Sequence, residues 1–176
     1  MILGMTTATF TLLHVLISLL GIASGLVVMY GLLTSKRLDR WTLLFLISTV
    51  ATSLTGFLFP FEHLTPGIVV GVLSLILLAI ATVARYGLHL NGVARAAYVV
   101  TASAALYFNV FVLVVQSFEK EPALKALAPT QKEPPFAVAQ LLVLAFFVVL
   151  TVLAVRRFHA EPITAVISSE TRKPAA

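Results

Sequence analysis

The chain has 176 residues, 60% hydrophobic and 11% charged, with a mean hydropathy of +1.04, far more apolar than a soluble domain of that length. It has no cysteine, which excludes disulfides, thiolate metal sites and dithiol redox chemistry. A net charge of +5 would suit an acidic partner in a soluble protein, but in so apolar a chain the placement of Lys and Arg sets topology instead, and no nucleic-acid partner is expected.

The composition predicts an all-α, polytopic integral membrane protein. Five apolar runs of bilayer length fall at about residues 6–33, 41–60, 66–88, 93–118 and 136–158. They make a single transmembrane helical domain over residues 1–160, and the tail 161–176, polar and small, is expected to be disordered.

The first run has no basic residue before it and is too long for a signal-peptide core, so it reads as a retained helix. On it His14, Ser18, Gly21 and Gly25 recur at spacings of four and three, which places a polar, small-residue stripe against a neighbour. Asp39 is the expected N-cap of the second helix, with Trp41 an interfacial anchor beside it.

The second run carries Thr42, Thr49, Thr52 and Gly56 on one stripe, and Pro60 ends it in a phenylalanine-rich segment. Thr65 and Pro66 have the pattern of an N-cap and first helical residue for the third run. Gly67, Gly71 and Ser74 on that run favour tight packing; Arg85, a turn from its end, can snorkel to the interface, and Asp39 can pair with Arg85 or Arg95 across the inner ends of adjacent helices as an anchor. The turn at residues 89–92 is so short that the third and fourth helices must be antiparallel neighbours.

The fourth run is the one that carries carboxamides. Tyr98, Ala102, Ala105, Asn109 and Gln116 share a face, and an unpaired carboxamide in lipid costs several kcal/mol, so that face must point into the bundle. The loop 119–135 follows, with a short helix expected from Pro122 to Ala128 lying over the mouth of the bundle. The fifth run, with only Gln140 and Thr151 polar, is expected at the periphery of a four-helix core, where it offers a surface to a second copy or another membrane protein.

Nine of the Lys and Arg residues gather at one end. Lys36, Arg37, Arg40, Arg85, Arg95, Arg156, Arg157, Arg172 and Lys173 follow odd runs or precede even ones, whereas Lys120, Lys125 and Lys132 share their loop with Glu119, Glu121 and Glu133. The positive-inside rule then puts the N-terminus outside and the C-terminus in the cytoplasm. Compact loops and the lack of a targeting segment suit a bacterial cytoplasmic membrane.

Several chemistries lack their residues. No carboxylate lies inside an apolar run, and there is no HExxH zinc site, phosphate loop or intrahelical Schiff-base lysine. Ser24, between Gly21 and Gly25, resembles a serine-nucleophile turn only superficially, because it falls inside a continuous helix with no base nearby. The pattern therefore leans away from an enzyme.

Two sets of residues remain as candidates for binding. Asn109 and Gln116, two turns apart, with His14, Thr49 and Thr52, would bind a small polar or weakly polar ligand; the commoner use of such groups is interhelical hydrogen bonding. His14, His63, Glu62 and Glu119 form a second candidate set, for a metal ion or haem near the outer face, although their spacing matches no metal motif. Bis-histidine haem b needs two histidines at equal depth; His14 and His63 differ by about a third of the bilayer, and His89 and His159 match in depth but sit among arginines. No cofactor is predicted outright. The leading expectation is a non-enzymatic subunit, scaffold or small-molecule carrier, and the alternative is a membrane redox protein holding haem b or quinone through His14.

Overall fold

A computed structural model describes residues 2–60 and 66–159, so Glu62, His63, Thr65 and the tail lie outside the described residues. The described chain is helical throughout: α1 Thr7–Leu33, α2 Asp39–Gly56, α3 Pro66–Thr82, α4 Val93–Lys120, the short α5 Pro122–Leu127, and α6 Pro134–Arg157. α3 runs on through one π turn at Val83–Gly87.

Four segments, Thr7–Leu33, Gly67–Gly87, Val93–Lys120 and Pro134–Arg157, are long and apolar enough to cross a membrane. The chain is thus a multi-pass membrane protein by its helices. α2 is not among the four. It has only 18 residues, and Asp39, Arg40 and a series of Ser and Thr lower its hydropathy.

α1 and α2 are nonetheless paired along nearly their whole length. His14 meets Thr55, Gly21 meets Ser48 and Thr49, Gly25 meets Phe45, and Gly31 meets Leu38. The paired numbers add to 69 or 70 at every level, which is the mark of two straight antiparallel helices in register. Gly25 permits the closest approach: a Cβ there would lie 2.5 Å from Leu106 Cδ1 and 2.9 Å from Phe45.

α1, α2, α3 and α4 pack in sequence around a common core, with α4 closing the ring against α1, and α6 lies in the outer groove between α4 and α1. Phe45, Leu78, Tyr98, Val99, Ala102, Ala105 and Leu106 fill the half of the bundle nearest the arginines. α6 buries only Phe147 and Ala154 within its span.

That basic end is tied by arginines. Arg85 is buried, donates to Asp39 Oδ1, and lies over the ring of Tyr98. It does not snorkel. The π turn and the carboxylate of Asp39 hold the guanidinium inward, where desolvation is offset by an ion pair and an aromatic face. Asp39 likewise corrects the expected cap: α2 is preceded by Leu38, and the Asp39 side chain makes no cap bond but serves Arg85, with Arg37 at 3.8 Å. Arg95 donates to the carbonyls of Val155 and Phe158, neutralising the C-terminal end of α6. We call this the basic end, and the opposite one, where α5 and residues 128–133 lie, the loop end.

Candidate functional site

Each of the four core helices has a polar, small-residue stripe, and at the loop end these stripes fail to close on one another. The result is a cavity of about 820 Å³. α1 lines it from Thr11 at the mouth to Ile22 at depth, and α4 from Lys120 at the mouth to Asn109 at depth. α2 contributes Thr52 at depth and Phe57 and Phe59 above it; α3 contributes Ser74 at depth and Gly67 above it. The eleven residue steps from Thr11 to Ile22, at about 1.5 Å each, make it about 16 Å deep, roughly half a bilayer core. It stops where Gly25, Phe45 and Leu106 meet.

Among the described residues, charge on the lining is confined to the mouth. Glu119, Lys120 and Glu121 stand there, with Leu124 of α5 over the opening, while the deeper lining holds hydroxyls, amides, one imidazole and apolar side chains such as Val112 and Leu113. A volume of this size with few convergent polar groups has the proportions of a small-molecule site.

Two of the polar groups, His14 and Asn109, are fixed by α2. His14 Nδ1 is 2.8 Å from Thr55 Oγ1, and the ring stacks edge-on to Phe59 with centroids 5.2 Å apart. Gly56 lies against the ring, where a Cβ would make only ordinary contact with His14 Cε1, at 3.7 Å. Asn109 Nδ2 donates to Thr49 Oγ1 at 3.2 Å. Gln116 Nε2 donates to Glu119 Oε2 at 3.4 Å, nearer the mouth. Thr52 Oγ1 is buried without a hydrogen-bond partner among the described residues.

Of the residues picked out for ligand binding, His14, Thr52, Asn109 and Gln116 all line this one cavity. Thr49 does not line it; fully buried, it stands behind Asn109 and orients the amide. Thr55 was missed by the sequence reading although it lies three residues beyond Thr52, and its hydroxyl orients His14 as Thr49 orients Asn109. Ser53 and Ser74, also on the lining, are buried hydroxyls of the packing faces.

The second candidate set is divided. Glu62 and His63 lie outside the described residues, His14 and Glu119 both line the cavity, and among the described residues no three His, Asp or Glu come together to hold a metal ion. His89 and His159 are exposed at the basic end; His159 donates its backbone N–H to Ser35 Oγ at 2.9 Å.

No protein-family model, no curated protein and no solved structure matches this chain.

Proposed function

We propose that this protein holds a small, uncharged, lipid-soluble molecule in its loop-end cavity, as a carrier or as the ligand-binding subunit of a larger membrane assembly, without catalysing a reaction. One observation carries the reading. Three helices bring His14, Thr52, Asn109 and Gln116 to a cavity of about 820 Å³ whose charged groups, among the described residues, stand only at its mouth. A buried charge would demand a counter-charge inside the bilayer, so a cavity with uncharged depth favours an uncharged guest.

The reading includes five crossings, with the basic end in the cytoplasm of a bacterial cell and the cavity opening outward. The unbroken antiparallel pairing of α2 with α1 supports a fifth crossing, because α2 then occupies the same slab of bilayer as the apolar helix beside it. The gathering of arginines supports the orientation. α6, exposed on most of its surface, is the face offered to a second copy or a partner membrane protein.

Native mass spectrometry of gently purified protein, with its organic extract analysed in parallel, tests the reading. A co-purifying neutral amphiphile whose occupancy falls in Asn109→Leu and Gln116→Leu supports it; occupancy unchanged in both variants retires it. The second reading, quinone or haem b in the same cavity, draws on Nε2 of His14, which has no partner among the described residues. An absorption spectrum of the same sample before and after dithionite tests it: a Soret band lost in His14→Ala, or a quinone in the extract, decides in its favour.

A further inference from the structure

Two side chains on the cavity wall, His14 and Asn109, each have one polar atom tied back to α2, and in His14 the untied atom is an acceptor. Thr55 has a single hydroxyl hydrogen. Its oxygen lies 2.7 Å from the carbonyl of Ala51 and 3.1 Å from that of Thr52, the ordinary back-bond of a helical threonine, so the hydrogen is committed there. The 2.8 Å contact with His14 then requires the ring to donate from Nδ1. A neutral imidazole carries one N–H, so Nε2 is left as a bare lone pair, and it has no hydrogen-bond partner among the described residues.

Asn109 is less selective: one N–H of its Nδ2 goes to Thr49, and the amide keeps a second N–H and an Oδ1 without a partner among the described residues. A guest without a donor would leave Nε2 of His14 unpaired. A guest with a hydroxyl would satisfy it by donating.

We infer that the cavity takes an uncharged amphiphile whose head carries a phenol or alcohol hydroxyl, which donates to Nε2 of His14 while its apolar body lies against Ile22, Val112 and Leu113. This rests on the cavity being a binding site and goes on to specify the guest's chemistry. A site that accepts from a hydroxyl discriminates against the analogue that lacks it, because once the guest covers the acceptor it is left unpaired.

The test compares 4-nonylphenol with its methyl ether, which keeps the ring and tail and removes the donor. Affinities of both are measured by titration calorimetry on the full chain in detergent, and the phenol-to-ether ratio is taken relative to His14→Phe, so that unequal partition into micelles cancels. The expected result is a ratio about tenfold or more above that of the variant. Thr55→Val provides a second comparison: with the hydroxyl gone the ring is free to exchange tautomers, and the preference shrinks although the histidine remains. Nitrogen-15 NMR of histidine-labelled protein should show one ring, absent in His14→Phe, protonated at Nδ1 and bare at Nε2. Equal relative affinity for the two probes, or a His14 ring protonated at Nε2, overturns the hydroxyl inference while leaving the cavity reading intact. Binding of neither probe to protein that melts normally overturns both.

Discussion

The guanidinium of Arg85 lies over the ring of Tyr98, 5.0 Å from its centroid, with both side chains buried and Asp39 closing the other side of the arginine. The Tyr98 hydroxyl in turn meets Thr42 Oγ1 at 3.4 Å, so α2, α3 and α4 share one polar node beneath the cavity.

Removing the carboxylate leaves that arginine buried without its counter-charge. Asp39→Asn should lower stability by about 1–3 kcal/mol, less than for a fully buried pair because the Asp39 side chain is 64% exposed. Arg85→Met in the same chain should recover part of the loss, since an apolar side chain of similar length needs no partner. Melting of the two single variants and the double variant in detergent gives the comparison; strictly additive losses would contradict the pairing.

Gly25→Ala should cost about 1–3 kcal/mol, because the added methyl meets Phe45 and Leu106 at distances no relaxed core tolerates. Gly56→Ala should be close to neutral for stability, since a Cβ there reaches only His14 Cε1, at 3.7 Å. Melting midpoints of the two variants check the contrast.

Asn109 and Thr49 should be coupled. A double-mutant cycle with Asn109→Leu and Thr49→Val should return an interaction of about 0.5–2 kcal/mol, the range of hydrogen bonds between membrane helices. No measurable coupling would mean that the amide does not bond Thr49 in the membrane.

At the loop end Glu133 precedes α6, and its carboxylate accepts from the Thr130 hydroxyl at 2.8 Å and from the backbone N–H groups of Thr130 and Lys132. Desolvation works against the charged form, yet these hydrogen bonds outweigh it and hold the carboxyl below its ordinary value. The folded value being the lower one, the ordering of this turn is complete above the unfolded carboxyl range and is lost as pH falls through the depressed value. Hydrogen exchange at the Thr130 and Lys132 amides should therefore be protected at neutral pH and lose protection in acid; protection unchanged by Glu133→Gln would refute the assignment.

Much of the bundle was legible because lipid leaves few ways to bury polar groups. The stripe His14, Ser18, Gly21, Gly25 on α1 faces α2 as its spacing requires, and Tyr98, Ala102 and Ala105 on α4 point inward. The lining of the cavity could be named but its shape could not, since which hydroxyl stands behind which amide depends on the relative height of α2 and α4, and periodicity carries no height. Arg85 was read in part: its pairing with Asp39 was expected, its burial over Tyr98 was not, and for a physical reason. A basic residue a turn from a helix end ordinarily reaches for water, and a single π turn, which leaves no mark in the residue pattern, directs it to Tyr98 instead. The low hydropathy of α2 has the same origin as the site: the hydroxyls that make it a poor apolar span are those that orient His14 and Asn109.

The floor of the cavity, where Gly25 admits Phe45 and Leu106 so closely that no methyl group fits between them, makes the molecule a cup and not a pipe. A guest held as proposed would find no passage through this floor, so loading and unloading would share the loop-end side. Transfer to the far side would require the helices to part at the very seam where they are pressed most tightly together.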